Sequence, residues 1–350
     1  MPRIAAIGTA VPPHGLAQQE IRDAALRHFD QGLRETQRLI SVFNNVRVHK
    51  RYLCVPLEWY ADEHSFSETN REYIRWAIRL SQEAISDCLN KAGLKPEDVD
   101  QLVFVSTSGM STPSIDAHLI NRMGFPTHIK RTPIFGLGCA GGAAGLSRLG
   151  DLSQGSNGHR LLMVAVELSS LTFQFRDFSK SNLVASSLFS DGAAAVLING
   201  RASPPEGPRI VSTLSTIWPD TLEVMGWDFS ETGLGVIFSR QIPQLIGHKI
   251  RDNVEQFLAA QGLGLGDVDH FLVHPGGAKV LDSFQKTLGL DPERLEQSRY
   301  VLENYGNMSS PTILFILERY CRLARPREGE YGLCAAFGPG FSSELLLLQW

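Results

Sequence analysis

The clearest helical pattern in the chain lies between residues 69 and 92, where hydrophobic side chains recur at three- and four-residue steps. This spacing places them on one face of a helix, and Gly93 follows as a helix-ending residue. A polar turn at 95–98 leads to the apolar run 102–105, which predicts a strand covered on both faces of its sheet. The helix positions are Tyr73, Trp76, Ala77, Leu80, Ala84, Cys88 and Ala92.

The same order of helix, turn and strand returns later in the chain. It comprises a predicted helix over 243–261 that ends at Gly262, a turn at 264–267 and a strand at 271–273. From Gly93 to Gly262 the offset is 169 residues, which is too long for a solenoid repeat and indicates two duplicated halves. At this offset Ala92-Gly93-Leu94 matches Gln261-Gly262-Leu263, and Asp98-Val99-Asp100 matches Asp267-Val268-Asp269.

A cysteine stands among small residues in the stretch Phe135-Gly136-Leu137-Gly138-Cys139-Ala140-Gly141-Gly142, and a helical pattern follows it directly. The glycines allow a tight turn from strand to helix and a close approach of other groups to the sulfur. A thiol at a helix N-terminus faces unpaired N–H groups and the positive end of the helix dipole. Both favour the nucleophilic thiolate. The alternative is a small, inert core cysteine.

The duplication predicts a counterpart for this cysteine. Asn307 lies 168 residues beyond Cys139, in a glycine-containing loop that runs into a predicted helix over 312–320. Pro311 suits the first turn of that helix. In a molecule with pseudo-twofold symmetry the two loop-to-helix junctions would lie close together. His274 follows the predicted strand 271–273, and a nucleophile, a base and a fixed donor are the parts of thiol-based acyl transfer.

Composition excludes several classes of protein. The 350 residues carry a net charge of −4, so no basic surface is expected for nucleic acid. The N-terminal run 4–10 predicts a strand and lacks the apolar core of a signal peptide, and 18–28 predicts a helix. No apolar run approaches the roughly 18 residues of a membrane span.

The five cysteines are Cys54, Cys88, Cys139, Cys321 and Cys334. Their odd number and the lack of a CxxC pair argue against disulfides and a zinc site, and for a reducing cytoplasm. We expect no metal, and a structural role for the four cysteines other than Cys139.

Four motifs together resemble the type III polyketide synthases, the chalcone and stilbene synthase family within the thiolase-fold condensing enzymes. They are Gly138-Cys139-Ala140-Gly141-Gly142, His274-Pro275-Gly276-Gly277, Gly306-Asn307-Met308-Ser309-Ser310 and Phe337-Gly338-Pro339-Gly340-Phe341. The resemblance implies a homodimer and an α/β fold of five layers, αβαβα, built from two similar halves. We expect these halves to span residues 1–205 and 206–350, with the Pro-rich segment 201–208 at their boundary.

By this resemblance Cys139 carries the starter acyl group and the growing chain as a thioester. His274 and Asn307 would donate hydrogen bonds to the thioester oxygen, and His274 would hold Cys139 as thiolate. An acyl-CoA starter and malonyl-CoA are the implied substrates, with no resident cofactor.

The resemblance also implies roles for residues around the reaction centre. Phe189 and Phe238 match gate residues between a CoA tunnel and the cavity, and Thr112 matches a residue that reaches into the partner subunit. Positions that line the pocket or hold a water that steers cyclisation are Thr107, Glu167, Thr172 and Ser309. Candidate CoA contacts are Arg38, Arg51, Gly276 and Gly277, while Asn45 stands where the family commonly has a lysine.

Segments 173–178 and 225–228 depart from the plant pattern and favour a bacterial member. The expected product is an alkylpyrone or alkylresorcinol from an acyl-CoA starter of medium or long chain. Formation of tetrahydroxynaphthalene or phloroglucinol from malonyl-CoA alone is the close alternative. A β-ketoacyl-ACP synthase III has the same cysteine, histidine and asparagine, and a non-catalytic thiolase-fold subunit is the third hypothesis.

Overall fold

The computed structural model describes residues 2–29, 40–155, 158–199, 207–324 and 326–350. Its strands are β1 (Arg3–Ala10), β2 (His14–Ala17), β3 (Lys50–Leu53), β4 (Gln101–Val105), β5 (Lys130–Ile134), β6 (Arg160–Leu168), β7 (Asp191–Asn199), β8 (Arg209–Ile217), β9 (Met225–Ser230), β10 (Gly233–Phe238), β11 (His270–Val273), β12 (Tyr331–Gly338) and β13 (Ser342–Gln349). Its helices are α1 (Gln18–Phe29), α2 (Phe66–Ala92), α3 (Ile115–Met123), α4 (Gly141–Gln154), α5 (Lys180–Leu188), α6 (Ile242–Ala259), α7 (Ala278–Leu288), α8 (Glu296–Tyr305) and α9 (Ser310–Arg319).

The predicted amphipathic helix is confirmed as α2. It begins three residues earlier than the pattern indicated, because Ser65 and Glu68 form a reciprocal capping box. This arrangement satisfies backbone N–H groups that the first helical turn leaves unpaired. At the other end Gly93 adopts φ +66 as the cap, as expected. The predicted boundary between the halves falls on residues 200–206, which lie outside the described ranges.

The two halves repeat the same sheet. In the first, β4 runs parallel to β6, which pairs antiparallel with β7, which pairs antiparallel with β1. In the second, β11 runs parallel to β12, which pairs antiparallel with β13, which pairs antiparallel with β8. The sheets join edge to edge where β1 pairs with β8 at Arg3 and Arg209, so nine strands are continuous.

The repeat extends to individual hydrogen bonds. The Asp100 carboxylate accepts from the backbone N–H of Arg160, and the Asp269 carboxylate accepts from that of Tyr331, both at 2.8 Å. Each aspartate therefore ties the start of one parallel strand to its neighbour. The matched Asp-Val-Asp segments thus form the same hydrogen bond in both halves, which confirms the duplication.

Three hydrophobic clusters separate five layers. One packs α2 against the outer face of the first sheet, and another packs α6 and α7 against the outer face of the second. The third lies between the sheets and contains residues of α4 and α9. The order is helix, sheet, helix, sheet, helix, which is the predicted αβαβα arrangement.

Helices α4 and α9 touch at their N-terminal ends. A Cβ atom on Gly142 would overlap the Ser310 carbonyl oxygen and lie 2.7 Å from Ile313 Cγ2. Gly141 faces the Ser310 side chain at similarly short range. The glycines after Cys139 therefore serve the contact between the two halves, because only glycine allows backbones to approach so closely.

Gly142→Ala is expected to destabilise the protein by about 1–3 kcal/mol, because the new methyl group has no space between α4 and α9. Gly155→Ala at the C-terminal end of the same helix is the matched control, since nothing lies within 4 Å of a Cβ placed there. Urea unfolding of both variants measures the difference. Equal midpoints would contradict the packing argument.

Candidate active site

Cys139 lies in a tight turn between β5 and α4. The turn spans Gly138–Ala140, and the cysteine is buried. Gly138 has φ +46, and its N–H donates to Thr107 Oγ1 at 3.1 Å. Thr107, at the end of β4, therefore holds the turn that carries the sulfur.

Asn307 occupies the loop between α8 and α9 and is fully buried. Its Oδ1 accepts from the Ser309 N–H at 2.8 Å. Ser309 has φ +57, a strained conformation for a residue with a side chain. Because Oδ1 is occupied, Nδ2 remains as a donor. Within the described part of the chain it completes no hydrogen bond of normal geometry, but the Asn307 side chain lies close enough to the Cys139 sulfur to lower the pKa of that thiol.

The Asn307 and Ser309 side chains both act to lower the pKa of the Cys139 thiol. The structure therefore brings the cysteine of one half together with the asparagine of the other. This is the convergence that the internal repeat predicts.

His274 directly follows β11. Its backbone N–H donates to the Ala335 carbonyl at 2.8 Å, which fixes the residue beside β12. At the end of β12, Gly338 packs on the cysteine turn, where a Cβ atom would lie 2.7 Å from Ala140 Cβ. Both ring nitrogens of His274 are buried and have no partner among the residues described.

Desolvation controls the protonation of this site. Burial raises the pKa of Cys139 to about 11, and the Glu167 carboxylate adds to this rise. Burial lowers the pKa of His274 to about 3. Burial therefore opposes the charged form of each group, whereas the Asn307 and Ser309 side chains favour the thiolate. The thiolate expected at the helix N-terminus stays a prediction.

Glu167 ends β6 and anchors the neighbouring turn. Its carboxylate accepts from the N–H groups of Thr107 and Ser108 at 3.0 and 2.9 Å, and from Ser310 Oγ at 2.9 Å. Burial raises its pKa to about 7, against the effect of these hydrogen bonds. Glu167 thus links β4, which holds the cysteine turn through Thr107, to the start of α9.

The two predicted gate residues have different surroundings. The Phe189 backbone forms a bridge with Asn307, and its ring lies 6.1 Å from that of Trp227. Phe238 ends β10, opposite Met225, and packs against the core of the second half. Phe189 is therefore tied directly to the asparagine loop.

A cavity of about 390 Å³ lies between α1 and α5. Phe189 and Thr172 form part of its wall, and the Thr172 hydroxyl donates to the Ser169 carbonyl at 2.8 Å. The other apolar lining residues include Ile21, Ala24, Leu53, Leu57 and Ala185.

The predicted CoA contacts fare differently. Arg51 is only 2% exposed, and its guanidinium bonds to Gln18 and to the Phe189 carbonyl. Arg51 is therefore an interior residue on the wall of the cavity between α1 and α5, and its contact to CoA stays a prediction. Arg38 lies outside the described residues. Gly276 and Gly277, the other two predicted CoA contacts, directly precede α7.

Thr112, the residue predicted to reach into the partner subunit, is exposed and is followed by a cis Pro113.

Sequence reasoning missed two groups that shape the site. Asp191 is buried at the start of β7, and its carboxylate accepts from the N–H groups of Cys54 and Ser170 at 2.8 and 2.9 Å. Ser310 is the donor to Glu167. A lone carboxylate directly before the apolar run 193–198 was the available signal for Asp191. Ser310 belongs to the asparagine motif, but no sequence pattern indicates its bond to Glu167, 143 residues earlier.

Searches of the described residues for two further features give negative results. No group of three or more His, Cys, Asp or Glu side chains there could hold a metal ion. No helix in those ranges is long and apolar enough to cross a membrane.

The five layers, the internal repeat and the buried Cys139, His274 and Asn307 define a thiolase-fold condensing enzyme. Comparison with known proteins narrows this class. Sequence models described as chalcone and stilbene synthases match residues 2–203 for the N-terminal domain and 209–350 for the C-terminal domain.

A Bacillus subtilis protein, provisionally named as a chalcone synthase, is 41% identical over 358 residues, which cover 99% of this chain and 98% of the relative. The 1,3,6,8-tetrahydroxynaphthalene synthase of Streptomyces peucetius is 38% identical and covers 99% of this chain and 93% of its own. The crystal structure of 1,3,6,8-tetrahydroxynaphthalene synthase from Streptomyces coelicolor superposes with a TM-score of 0.92 at 30% identity over 99% of both chains.

The chain therefore belongs to the chalcone and stilbene synthase family. It is a type III polyketide synthase, an acyltransferase that forms carbon–carbon bonds. The resemblance to this family and the fold class expected from the sequence are confirmed, whereas the roles of individual site residues stay predictions.

Iodoacetamide is expected to alkylate Cys139 before the other four cysteines. Its pKa of about 11 is the lowest of the five, since burial raises those of Cys88, Cys321 and Cys334 to about 12 and that of Cys54 well above the usual value. The thiolate fraction grows with pH up to that pKa, so the rate should rise steadily from pH 7 to pH 10. Peptide mapping and inactivation rates measure this. A rate that is already constant at neutral pH would indicate a stable thiolate instead.

Proposed function

We propose that the protein loads an acyl-CoA starter on Cys139, extends it with malonyl-CoA and cyclises the product. The Cys139 sulfur attacks the acyl carbonyl while its proton passes to His274. The bond from the acyl carbon to the CoA sulfur breaks, and CoA leaves as a thiol with that proton. This transfer suits a neutral thiol and a neutral imidazole, which the buried site favours. It requires no resident cofactor.

Chain extension follows on the acylated cysteine. Malonyl-CoA loses CO₂, and the electron pair of the broken carbon–carbon bond remains as an enolate. The enolate carbon attacks the Cys139 thioester, forms the new carbon–carbon bond and expels the sulfur. His274 and Asn307 Nδ2 donate to the oxygen on which the enolate charge resides.

The observation that carries this proposal is the set of buried donors without partners. Unpaired polar groups in a closed site are costly, so their retention points to a charge that they meet during the reaction. Fixed donors of this kind stabilise an oxyanion strongly when water is excluded.

The cavity between α1 and α5 supports an acyl starter of medium or long chain. It lies on the Phe189 side of the site, and its walls are mostly apolar. The neighbouring cavity by Tyr73, Ser108 and Thr172 holds only about 10 Å³, which is about the space of one water molecule. An alkyl tail therefore fits between α1 and α5, and we favour an alkylpyrone or alkylresorcinol as product.

The two segments that depart from the plant pattern border this region. Phe173, Phe175 and Phe178 surround the His28 ring of α1, and Trp227 contacts Phe189. Formation of 1,3,6,8-tetrahydroxynaphthalene from malonyl-CoA alone is the second candidate, because two relatives carry that name. The match to both family domains disfavours β-ketoacyl-ACP synthase III.

We further propose that the enzyme acts as a homodimer in the cytoplasm. β5 lies at the edge of the nine-stranded sheet, where a second copy can pair. Met110 and Phe135, which flank this region in sequence, are large apolar residues that are 47% and 54% exposed. Thr112 lies in the same exposed loop as Met110, which suits a residue that reaches into the partner.

Mass spectrometry of products tests the function. The enzyme is incubated with malonyl-CoA and a panel of acyl-CoA starters, including none, and Cys139→Ala serves as the inactive control. We expect pyrones or resorcinols that carry the starter chain. A product from malonyl-CoA alone, unchanged by any starter, would support the second candidate. Transfer from malonyl-ACP but not from malonyl-CoA would contradict both.

Filling the cavity adds a second arm to this experiment. Ala185→Phe is expected to shift the products towards short starters, because the added ring occupies the space between α1 and α5. Ala259→Phe, at the exposed end of α6, makes the same substitution away from the cavity. An unchanged product profile in Ala185→Phe would show that the acyl tail lies elsewhere.

Asn307→Ala is expected to slow malonyl-CoA decarboxylation by about 10²–10³-fold, because one donor to the enolate oxygen is lost. Loading of Cys139 should fall much less. Asn304→Ala is the control, since within the described ranges that exposed side chain donates only to the Tyr300 carbonyl. Decarboxylation and radiolabelled acyl-enzyme are measured separately. An equal loss of both steps would argue against a specific enolate donor.

A further inference from the structure

Arg51 is a buried cation held by the protein rather than by solvent. Its Nε donates to Gln18 Oε1 at 2.9 Å, and its Nη1 donates to the Phe189 carbonyl at 2.7 Å. Gln18 is itself fixed, because its Nε2 donates to the Ser187 carbonyl at 2.7 Å. Arg51 and Gln18 together therefore bind the backbone of segment 187–189 through two of its carbonyl groups.

The aliphatic part of Arg51 packs against the asparagine loop. Gly306, which precedes Asn307, has φ +72, and a Cβ atom there would lie 2.9 Å from Arg51 Cγ. The Asn307 backbone forms hydrogen bonds with the same segment that the Arg51 guanidinium binds. Its N–H donates to the Leu188 carbonyl, and its carbonyl accepts from the Ser190 N–H.

The rest of β3 strengthens this connection. The Tyr52 N–H donates to Ser190 Oγ, and that hydroxyl donates back to the Tyr52 carbonyl. Two residues further along, the Cys54 N–H donates to Asp191. One short strand thus holds both the Phe189 turn and, through Arg51, the loop of Asn307.

A buried guanidinium is costly in this position. Burial lowers the pKa of Arg51 to about 10, although Tyr60 and the Asp191 carboxylate act in the opposite direction. Among the described residues no carboxylate lies within salt-bridge distance of the guanidinium. A charge kept under these conditions needs a role that an apolar residue of similar size cannot fill. Two hydrogen bonds in fixed directions are such a role, because the guanidinium is planar and rigid.

We propose that Arg51 is a positioning residue that fixes the Phe189 turn and the Asn307 loop relative to each other, so that Asn307 Nδ2 stays aimed at the enolate oxygen. The proposal rests on the decarboxylation step of the proposed function. It assigns to Arg51 an action through Asn307 and Phe189, without contact to CoA.

Arg51→Met tests this role, because methionine keeps much of the stem and removes both donors. The turnover number for malonyl-CoA decarboxylation should fall about 10²-fold, as small misplacements of a catalytic group do. The KM and the loading of Cys139 should stay close to wild type. Lys50→Met is the matched control, since the neighbouring Lys50 is an exposed cation and loses the same charge.

The same assays with malonyl-N-acetylcysteamine separate the proposal from a CoA contact. A positioning role reduces turnover equally for both thioesters. A contact to the nucleotide of CoA would raise the KM for malonyl-CoA only and leave the short thioester unaffected, and that result would overturn the proposal. An equal fall in loading and decarboxylation would overturn it too.

Two further variants keep the test decisive if Arg51→Met does not fold. Gln18→Leu removes the acceptor of Nε and should give a smaller fall in turnover. Arg51→Lys should recover part of the Arg51→Met loss, since it keeps the charge and one donor. Wild-type turnover in both variants would contradict the proposal.

Hydrogen exchange supplies a readout that does not require decarboxylation. Amides of the segments 188–190 and 306–309 should exchange faster in Arg51→Met and Gln18→Leu than in Lys50→Met. Unchanged exchange would overturn the positioning role. If the wild-type enzyme does not decarboxylate malonyl-CoA, the proposed function is refuted. The exchange experiment still tests whether Arg51 holds the two segments together, because it does not depend on decarboxylation.

Discussion

Helices α4 and α9 can meet at their N-terminal ends only because residue 142 has no side chain. Each helix begins directly after a loop that carries one residue of the proposed catalytic set, Cys139 in one half and Asn307 in the other. The distance between these groups is therefore set by the closest approach of two helix backbones. Any residue larger than glycine at this contact would separate the halves, and the donor amide would move away from the sulfur.

The site that results is dry, and this has two opposite consequences. Desolvation opposes the charged forms of Cys139 and His274, because burying either charge is costly. The same low polarity strengthens the interaction of fixed donors with an enolate once it forms. The dry site therefore disfavours charge before the reaction and stabilises the enolate charge when it forms. Glu167 lies within this environment as a hydrogen-bond anchor, with donors from the segment that follows β4 and from the start of α9 around its carboxylate.

The Phe189 turn connects the cavity proposed for the starter chain with the asparagine loop. The Phe189 turn borders the cavity between α1 and α5 on one side, and its backbone bonds to Asn307 on the other. A change in the shape of the cavity is thus transmitted to the donor that serves the enolate, unless the turn is held rigidly. In our proposal Arg51 and β3 provide this rigidity from the interior, which gives a reason for keeping a buried cation at this position.

The sequence by itself determined the elements, the duplicated halves and the reactive set. Local periodicity and glycine placement depend on neighbouring residues, so α2, the Asp-Val-Asp repeat and the Cys139 and Asn307 junctions could be predicted. Only the tertiary structure decided the desolvation of Cys139, the interior position of Arg51 and the anchoring by Asp191 and Ser310. These properties depend on burial and on partners more than a hundred residues away, and neither desolvation nor a long-range hydrogen bond leaves a pattern in the local sequence.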